Sequence, residues 1–387
     1  MRATSRSELL LLAPAAVFLF ILPFPHTVAL RLLCLFAAAA IAIVLWRRLA
    51  PPPVPLKVPL LLWAVVLLVS ILFAVDQPYT IRELKNELGY TMVAFAALFV
   101  LASDEARLRL LVLGVVMCFL VISVSALAGY AWQGAWNSGA FYGGAGTISN
   151  YFVTAAPVIA LAVWLWNPPR LGWWLALLAG LYLCAGLISG QRALWPGLGA
   201  QLLVLCAWLW RAKPQRLVLG VALVAVLTVG GLWASEQVRM RADPDSPNTI
   251  FKDVRPQFWL AVSQKVLEHP LRGAGFGQRA LIKAYPELMP ENTHLWHAHN
   301  LPLNYGVYAG LPGIAAILFL FVALFWRLWR LALSADRGAQ LAGLAGAAMV
   351  AGVFARNTFN DFFIRDGALL FWGLAGMLLG YALRRSR

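Results

Sequence analysis

Continuous apolar runs of about 20 residues, the length that crosses a bilayer as a helix, recur from one end of this chain to the other. A membrane β-barrel would instead be written as alternating segments of about ten residues, and that pattern is missing from the sequence. The expected fold is therefore all-α and polytopic in a membrane. Composition agrees: 12% of the 387 residues are charged, against about 25% in soluble domains. The formal net charge of +15 would suggest nucleic acid in a soluble protein. Here much of it flanks the apolar runs, so membrane lipids and not nucleic acid are the expected surroundings. Cys34, Cys118, Cys184 and Cys206 all lie inside apolar segments without metal-ligand spacing and read as buried small hydrophobes. The run after Arg2 and Arg6 continues to Pro23 without a small-residue cleavage site, which makes it a first span and not a cleaved leader.

Twelve spans are expected, near 8–24, 28–46, 58–75, 88–103, 108–129, 150–166, 171–189, 194–211, 215–234, 305–329, 339–358 and 367–384. The seventh and eighth are so close that a tight helical hairpin is predicted. With the N-terminus inside, 17 of the 31 basic residues fall at cytoplasmic ends, Arg47, Arg48, Arg170, Arg211, Arg330 and Arg384 among them. An even number of spans returns the C-terminal "LRRSR" to the same side. The division is then spans one to nine in 1–234, one long outer loop in 235–304, and spans ten to twelve in 305–387, all one membrane domain. Within the loop, "RPQFWLAVSQKVLEHP" places apolar residues at 258, 259, 262 and 266. That spacing predicts an amphipathic helix lying on the membrane surface or folded over the spans.

The residues that cost most without a purpose lie on the outer side. Arg192, in "LISGQRALWPGL", stands in a turn between two apolar spans, where an arginine is expensive unless it snorkels or meets an anion. Arg82 and Lys85 have Glu83 and Glu87 nearby, and Arg356 and Arg365 have Asp361 and Asp366, so helical ion pairs would account for them. The loop adds Arg255, Arg272, Arg279 and Lys283 on the same face. Guanidinium groups gathered near a bilayer suit a phosphate or pyrophosphate, since Arg offers paired donors to its oxygens. Three of the five histidines fall in "HLWHAHN" at 294–300. With Glu291 they match no standard zinc spacing, which leaves a general base or interfacial rings as the two readings. "RGAGFGQ" at 272–278 lacks the strand–helix setting of a nucleotide loop and reads as a turn that lets backbone approach a ligand. "DPD" at 243–245 reads as turn chemistry.

Several motifs together resemble the O-antigen ligase superfamily, which includes lipopolysaccharide O-antigen ligases, O-antigen polymerases and protein O-oligosaccharyltransferases. His299-Asn300 followed by Gly310 and Gly313 matches the family spacing; Arg255 with Trp259, "EHPLRGAGFG" and "SGQRALWPGL" resemble its other motifs. The resemblance implies a membrane-embedded, inverting glycosyltransferase without metal or cofactor, working on the periplasmic side of the bacterial inner membrane. Its donor would be an undecaprenyl-pyrophosphate-linked glycan and its acceptor lipid A–core oligosaccharide. His299 would be the catalytic base and Arg192, Arg255, Arg82 and Lys85 would hold the pyrophosphate, with Asn300, Arg272, Arg279 and His297 in support. A ligase is favoured over a polymerase because the Gly-rich 130–150 loop has no Arg. It is favoured over a protein oligosaccharyltransferase because the chain ends just past the twelfth span. A transporter or flippase for lipid phosphates, from a different class, would show paired halves and charges at the midplane, and the sequence shows neither.

Overall fold

A computed structural model describes residues 9–134, 136, 144–242, 249, 253–288 and 295–387. Arg2, Arg6, Glu291, His294 and the "DPD" turn lie outside the described residues, as does most of the 130–150 loop between Gly134 and Gly144. The helices are α1 (Ala13–Ile21), α2 (Val28–Leu49), α3 (Lys57–Val69), α4 (Gln77–Leu84) and α5 (Tyr90–Leu101). They continue with α6 (Glu105–Gln133), α7 (Ala145–Trp166), α8 (Leu171–Ile188), α9 (Leu194–Trp210) and α10 (Pro214–Ala242). After these come α11 (Arg255–Glu268), the short α12 (Ala280–Ala284), α13 (Leu301–Ala332), α14 (Arg337–Phe359) and α15 (Arg365–Arg385). Each expected span is occupied by a helix. Among the described residues, nine helical segments are long and apolar enough to cross a membrane, and Lys57–Phe73 and Leu194–Trp210 are shorter apolar helices. The protein is an all-helical polytopic membrane protein.

Side chains set the starts of these helices. Asp76, Asp104, Asn300 and Asp336 cap α4, α6, α13 and α14, each accepting the backbone N–H three residues on, which satisfies a donor the helix leaves free. Between α4 and α5 a π turn, Lys85–Gly89, re-aims the chain without ending it. Packing at the centre relies on small residues, because helices in lipid associate by close contact and not by escape from water. α15 lies against α5 with Gly376 and Gly380 on the carbonyls of Phe95 and Phe99, where a Cβ would collide. α14 is held between α13, α9 and α7.

α8 and α10 sit at the periphery and bury little of their length. α8 and α9 are joined by a short turn, but they are not the packed hairpin the sequence suggested. α9 packs chiefly on α14 and α10, and α8 on α6, α7 and α10. Cys184 on α8 is exposed, whereas Cys34, Cys118 and Cys206 are buried as expected. An apolar helix says which residues avoid water, and only the assembled bundle says which of them meet lipid.

The chain ends of the helices fall into two sets. At one, Arg384 donates to the carbonyls of Phe99 and Val100, Arg385 pairs with Asp336, and Trp208 Nε1 donates to Ala332. At the other, the starts of α13 and α15, the end of α14 and the segment 253–288 come together. Arg31 reaches this second set too, pairing with Asp366 and donating to the Leu22 carbonyl.

Candidate functional site

The site is built on a break in α13. Ala309 and Gly310 leave helical geometry, Gly310 at φ 68° and ψ −159°, a region open in practice to glycine alone. The break frees carbonyls that a straight helix would use. Ala274 N–H donates to Val307 O at 2.7 Å, Gly275 N–H to Tyr308 O at 3.2 Å, and Leu311 N–H to Pro270 O at 2.7 Å. A Cβ on Gly273 would strike the Tyr308–Ala309 backbone, and one on Gly313 the Tyr305 carbonyl. Gly273 of "RGAGFGQ" therefore lets backbone approach backbone, while Gly277 lines the neighbouring cavity. Buried polar backbone must be paired, and this segment pairs the broken helix. α11 packs on α13 through Phe258, Val262 and Val266.

Upstream of the break, residues 297–300 form a tight turn fixed on three sides. Trp259 Nε1 donates to Ala298 O at 2.7 Å. Asn304 accepts from Ala298 N–H at 2.9 Å and donates to Asp361 at 2.5 Å. Asn300 caps α13 and donates to Thr358 O at 3.0 Å. Within the turn His299 takes a left-handed φ of 51°, uncommon outside glycine. Its backbone N–H donates to His297 Nδ1 at 3.1 Å, and the two rings stack at 3.8 Å. His297 is buried, and burial, with His299 beside it, holds its pKa well below the ordinary histidine value. It stays neutral.

His299 Nδ1 lies 2.9 Å from Asn360 Oδ1. An amide oxygen only accepts, so the ring proton belongs on Nδ1 and Nε2 keeps the lone pair, the tautomer a general base needs. The residue before Asn360 is equally committed: Phe359 O accepts from Arg255 NH1 at 2.7 Å. Arg255 also grips Asp253, with contacts of 2.9 and 2.7 Å, and Arg192 approaches the same carboxylate at 3.6 Å and Glu236 at 3.8 Å. Burial lowers the Arg192 pKa, and the positive charges of Arg255 and Arg239 lower it further, against the pull of Asp253 and Glu236. Burial works to raise the Asp253 pKa, but hydrogen bonds from Arg255 and the nearby cations hold it below the usual carboxylate range. Arg192 and Arg255 thus share Asp253, with Arg239 adding a further positive charge nearby, an arrangement that would accept an anion.

Residue 361 faces a separate cavity of about 470 Å³ lined by Arg82, Arg279, Lys283 and Arg365 together with aromatic and acidic side chains. Neither Arg192 nor Arg255 lines it. The structure therefore brings His299, His297, Asn300, Arg192 and Arg255 together. It places Arg82 and Arg279 in the cavity, leaves Lys85 exposed in the π turn, and sets Arg272 in a different groove with His269 and Tyr285. The expected helical ion pairs are re-partnered. Arg365 approaches Glu83 at 3.8 Å and its N–H donates to Glu87 at 2.6 Å, while buried Arg356 donates to Gly146 O at 2.7 Å and Ser149 at 2.8 Å. Asn304, Asn360, Asp253 and Glu236 escaped the sequence reading, and Asp361 entered it only as an ion-pair partner; the polar run "RNTFND" between two apolar spans was the available signal. Among the described residues, no group of three His, Cys, Asp or Glu side chains is arranged to hold a metal ion.

A histidine whose Nδ1 meets Asn360, beside paired arginines at one end of a helical membrane bundle, is an arrangement suited to group transfer at a membrane. Residues 177–320 match the family model described as O-antigen ligase, so this part of the chain is similar to that family. The match runs from within α8 to the middle of α13 and includes Arg192, Arg255 and His299. No curated protein compared matches the chain.

Proposed function

We propose that this protein moves an O-antigen glycan from undecaprenyl pyrophosphate to a hydroxyl of lipid A–core oligosaccharide, by inverting, metal-independent transfer at the periplasmic face of the bacterial inner membrane. On this reading both termini are cytoplasmic, 1–234 and 305–387 form the membrane body, and 235–304 is its outer segment. One observation carries the proposal: successive residues, Phe359 and Asn360, bind Arg255 and His299, so the group suited to hold a pyrophosphate and the group suited to take a proton share one anchor.

His299 Nε2 takes the proton from the acceptor hydroxyl as its oxygen bonds to the anomeric carbon. The bond from that carbon to the phosphate oxygen breaks, and the electron pair leaves with the pyrophosphate. Arg192 and Arg255 meet the charge that grows there, and they are already in place before the reaction, which is the economical form of electrostatic catalysis. Asn300 and His297 act on the shape of the turn and not on substrate.

The test is ligation of an undecaprenyl-pyrophosphate-linked glycan to lipid A–core by purified protein in EDTA. Wild type gives product. His299→Ala and Arg192→Ala, folded by thermal melt, each lose at least about a hundredfold in kcat, as expected for removing a base or a charge-stabilising donor. Lengthening of the lipid-linked glycan with no ligated product would make the protein a polymerase. Undiminished product from His299→Ala would place the base elsewhere.

A further inference from the structure

The cavity beside Asp361 is too charged for a lipid tail and too aromatic for a simple ion site. Its volume of about 470 Å³ falls inside the range of about 300–1,000 Å³ usual for small-molecule pockets. Two aromatic rings at its rim each carry a guanidinium: Arg82 lies 5.9 Å from the Tyr79 ring centre, and Arg279 lies 6.0 Å from that of Trp296. Such stacking holds a cation in a fixed place while leaving its N–H donors free to turn to a ligand. Deeper in, the buried carboxylates of Glu87 and Asp361 supply hydrogen-bond acceptors. Aromatic faces for C–H surfaces, carboxylates for hydroxyls and guanidinium groups for an anion make up the recognition set of a sugar ring that bears a phosphate or a carboxylate.

Position narrows the source of that sugar. The Trp296 ring meets His297 edge to face at 5.7 Å, and His297 stacks on His299. Asp361 follows Asn360, which binds His299. The base therefore stands between the cavity and the Arg192–Arg255 cluster. Inverting displacement requires the acceptor oxygen and the leaving oxygen on opposite sides of the anomeric carbon. With the pyrophosphate on the arginine cluster, the cavity is on the acceptor's side.

We infer that this cavity is the acceptor subsite, holding an anionic sugar of the acceptor saccharide through Trp296, Arg279 and Arg82. The inference rests on the function proposed above. It moves Arg82 from pyrophosphate binding, and Arg279 from a supporting role, to acceptor recognition.

Two exposed rim variants, Trp296→Ala and Arg279→Gln, test it with two readouts. The first is equilibrium binding of core oligosaccharide freed from lipid A, with and without its phosphates removed, to purified protein lacking donor. The second is the separate KM for lipid-linked donor and for lipid A–core. Expected are core-saccharide binding to wild type, a loss of about tenfold or more in each variant (about 1.4 kcal/mol), and a matching rise in acceptor KM with donor KM unchanged. Removing the phosphates should weaken binding to wild type and erase the difference between wild type and Arg279→Gln. Equal core binding by wild type and Trp296→Ala would overturn the assignment. So would a rise in donor KM with acceptor KM unchanged, which would give the cavity to the donor glycan. If wild type binds core saccharide but transfers nothing to it, the proposed function fails while the subsite stands.

Discussion

At the scale of single residues, the site depends on a knot the sequence hides. Asp361 is buried, and burial pushes its pKa up to about 6 despite hydrogen bonds from Asn304 and the Phe363 N–H. A carboxyl whose pKa is higher in the folded than in the unfolded chain binds its proton more tightly when folded, so it adds stability at low pH that is lost as pH rises from about 4 to about 6. Asp361→Asn cannot ionise. A pH series of thermal melts should show wild type losing stability relative to Asp361→Asn across that window and running parallel to it above pH 7; curves parallel throughout would show Asp361 is not titrating there. Arg192 was legible as an arginine in an expensive place, whereas His299 and Arg255 were picked out through the motifs that resemble the family. Asn304 and Asn360 were not, because an uncharged amide beside apolar spans carries no cost that marks it, and Asp361 was read only as an ion-pair partner. Only folding sets Asn360 beside a histidine 61 positions away.

At the scale of elements, α11 was readable as an amphipathic stripe, and its buried Phe258, Val262 and Val266 are three of the four positions that the spacing gave. The break in α13 was not readable, because "YGVYAGLPG" keeps an apolar character through the kink and hydropathy does not register a change of φ. The pairing of the glycine loop was not readable for the same reason: Gly273 meets a stretch of backbone, and backbone has no sequence signature. Gly310→Ala should be the test of this joint. A Cβ there meets the Pro270 carbonyl and the Arg272 nitrogen in a glycine-only conformation, at a cost of about 1–3 kcal/mol for the backbone strain alone. The variant should melt several degrees lower and lose transfer activity, while Gly230→Ala, where nothing lies within 4 Å of the added Cβ, should change neither.

For the whole molecule, the apolar runs were enough to place a helix in every expected span, because each must satisfy its own backbone in lipid. Lateral order was beyond them: which helix is central and which is peripheral depends on where small residues meet, as at Gly376 and Gly380. The sidedness proposed here has a direct check. In a Cys184→Ser background, Arg272→Cys should react with a membrane-impermeant maleimide in intact cells, and Lys213→Cys only after the inner membrane is opened. The reverse pattern would invert the topology. The shallow burial of α8 and α10 has one more consequence. Arg192 hangs from the turn after α8, and Glu236 and Arg239 ride on α10, so part of the anion cluster is carried by helices that the bilayer supports more than the protein does. On the function proposed above, a thinner or thicker host membrane, by tilting those two helices, would re-space the guanidinium groups and make the surrounding lipid a variable of the reaction and not only its container.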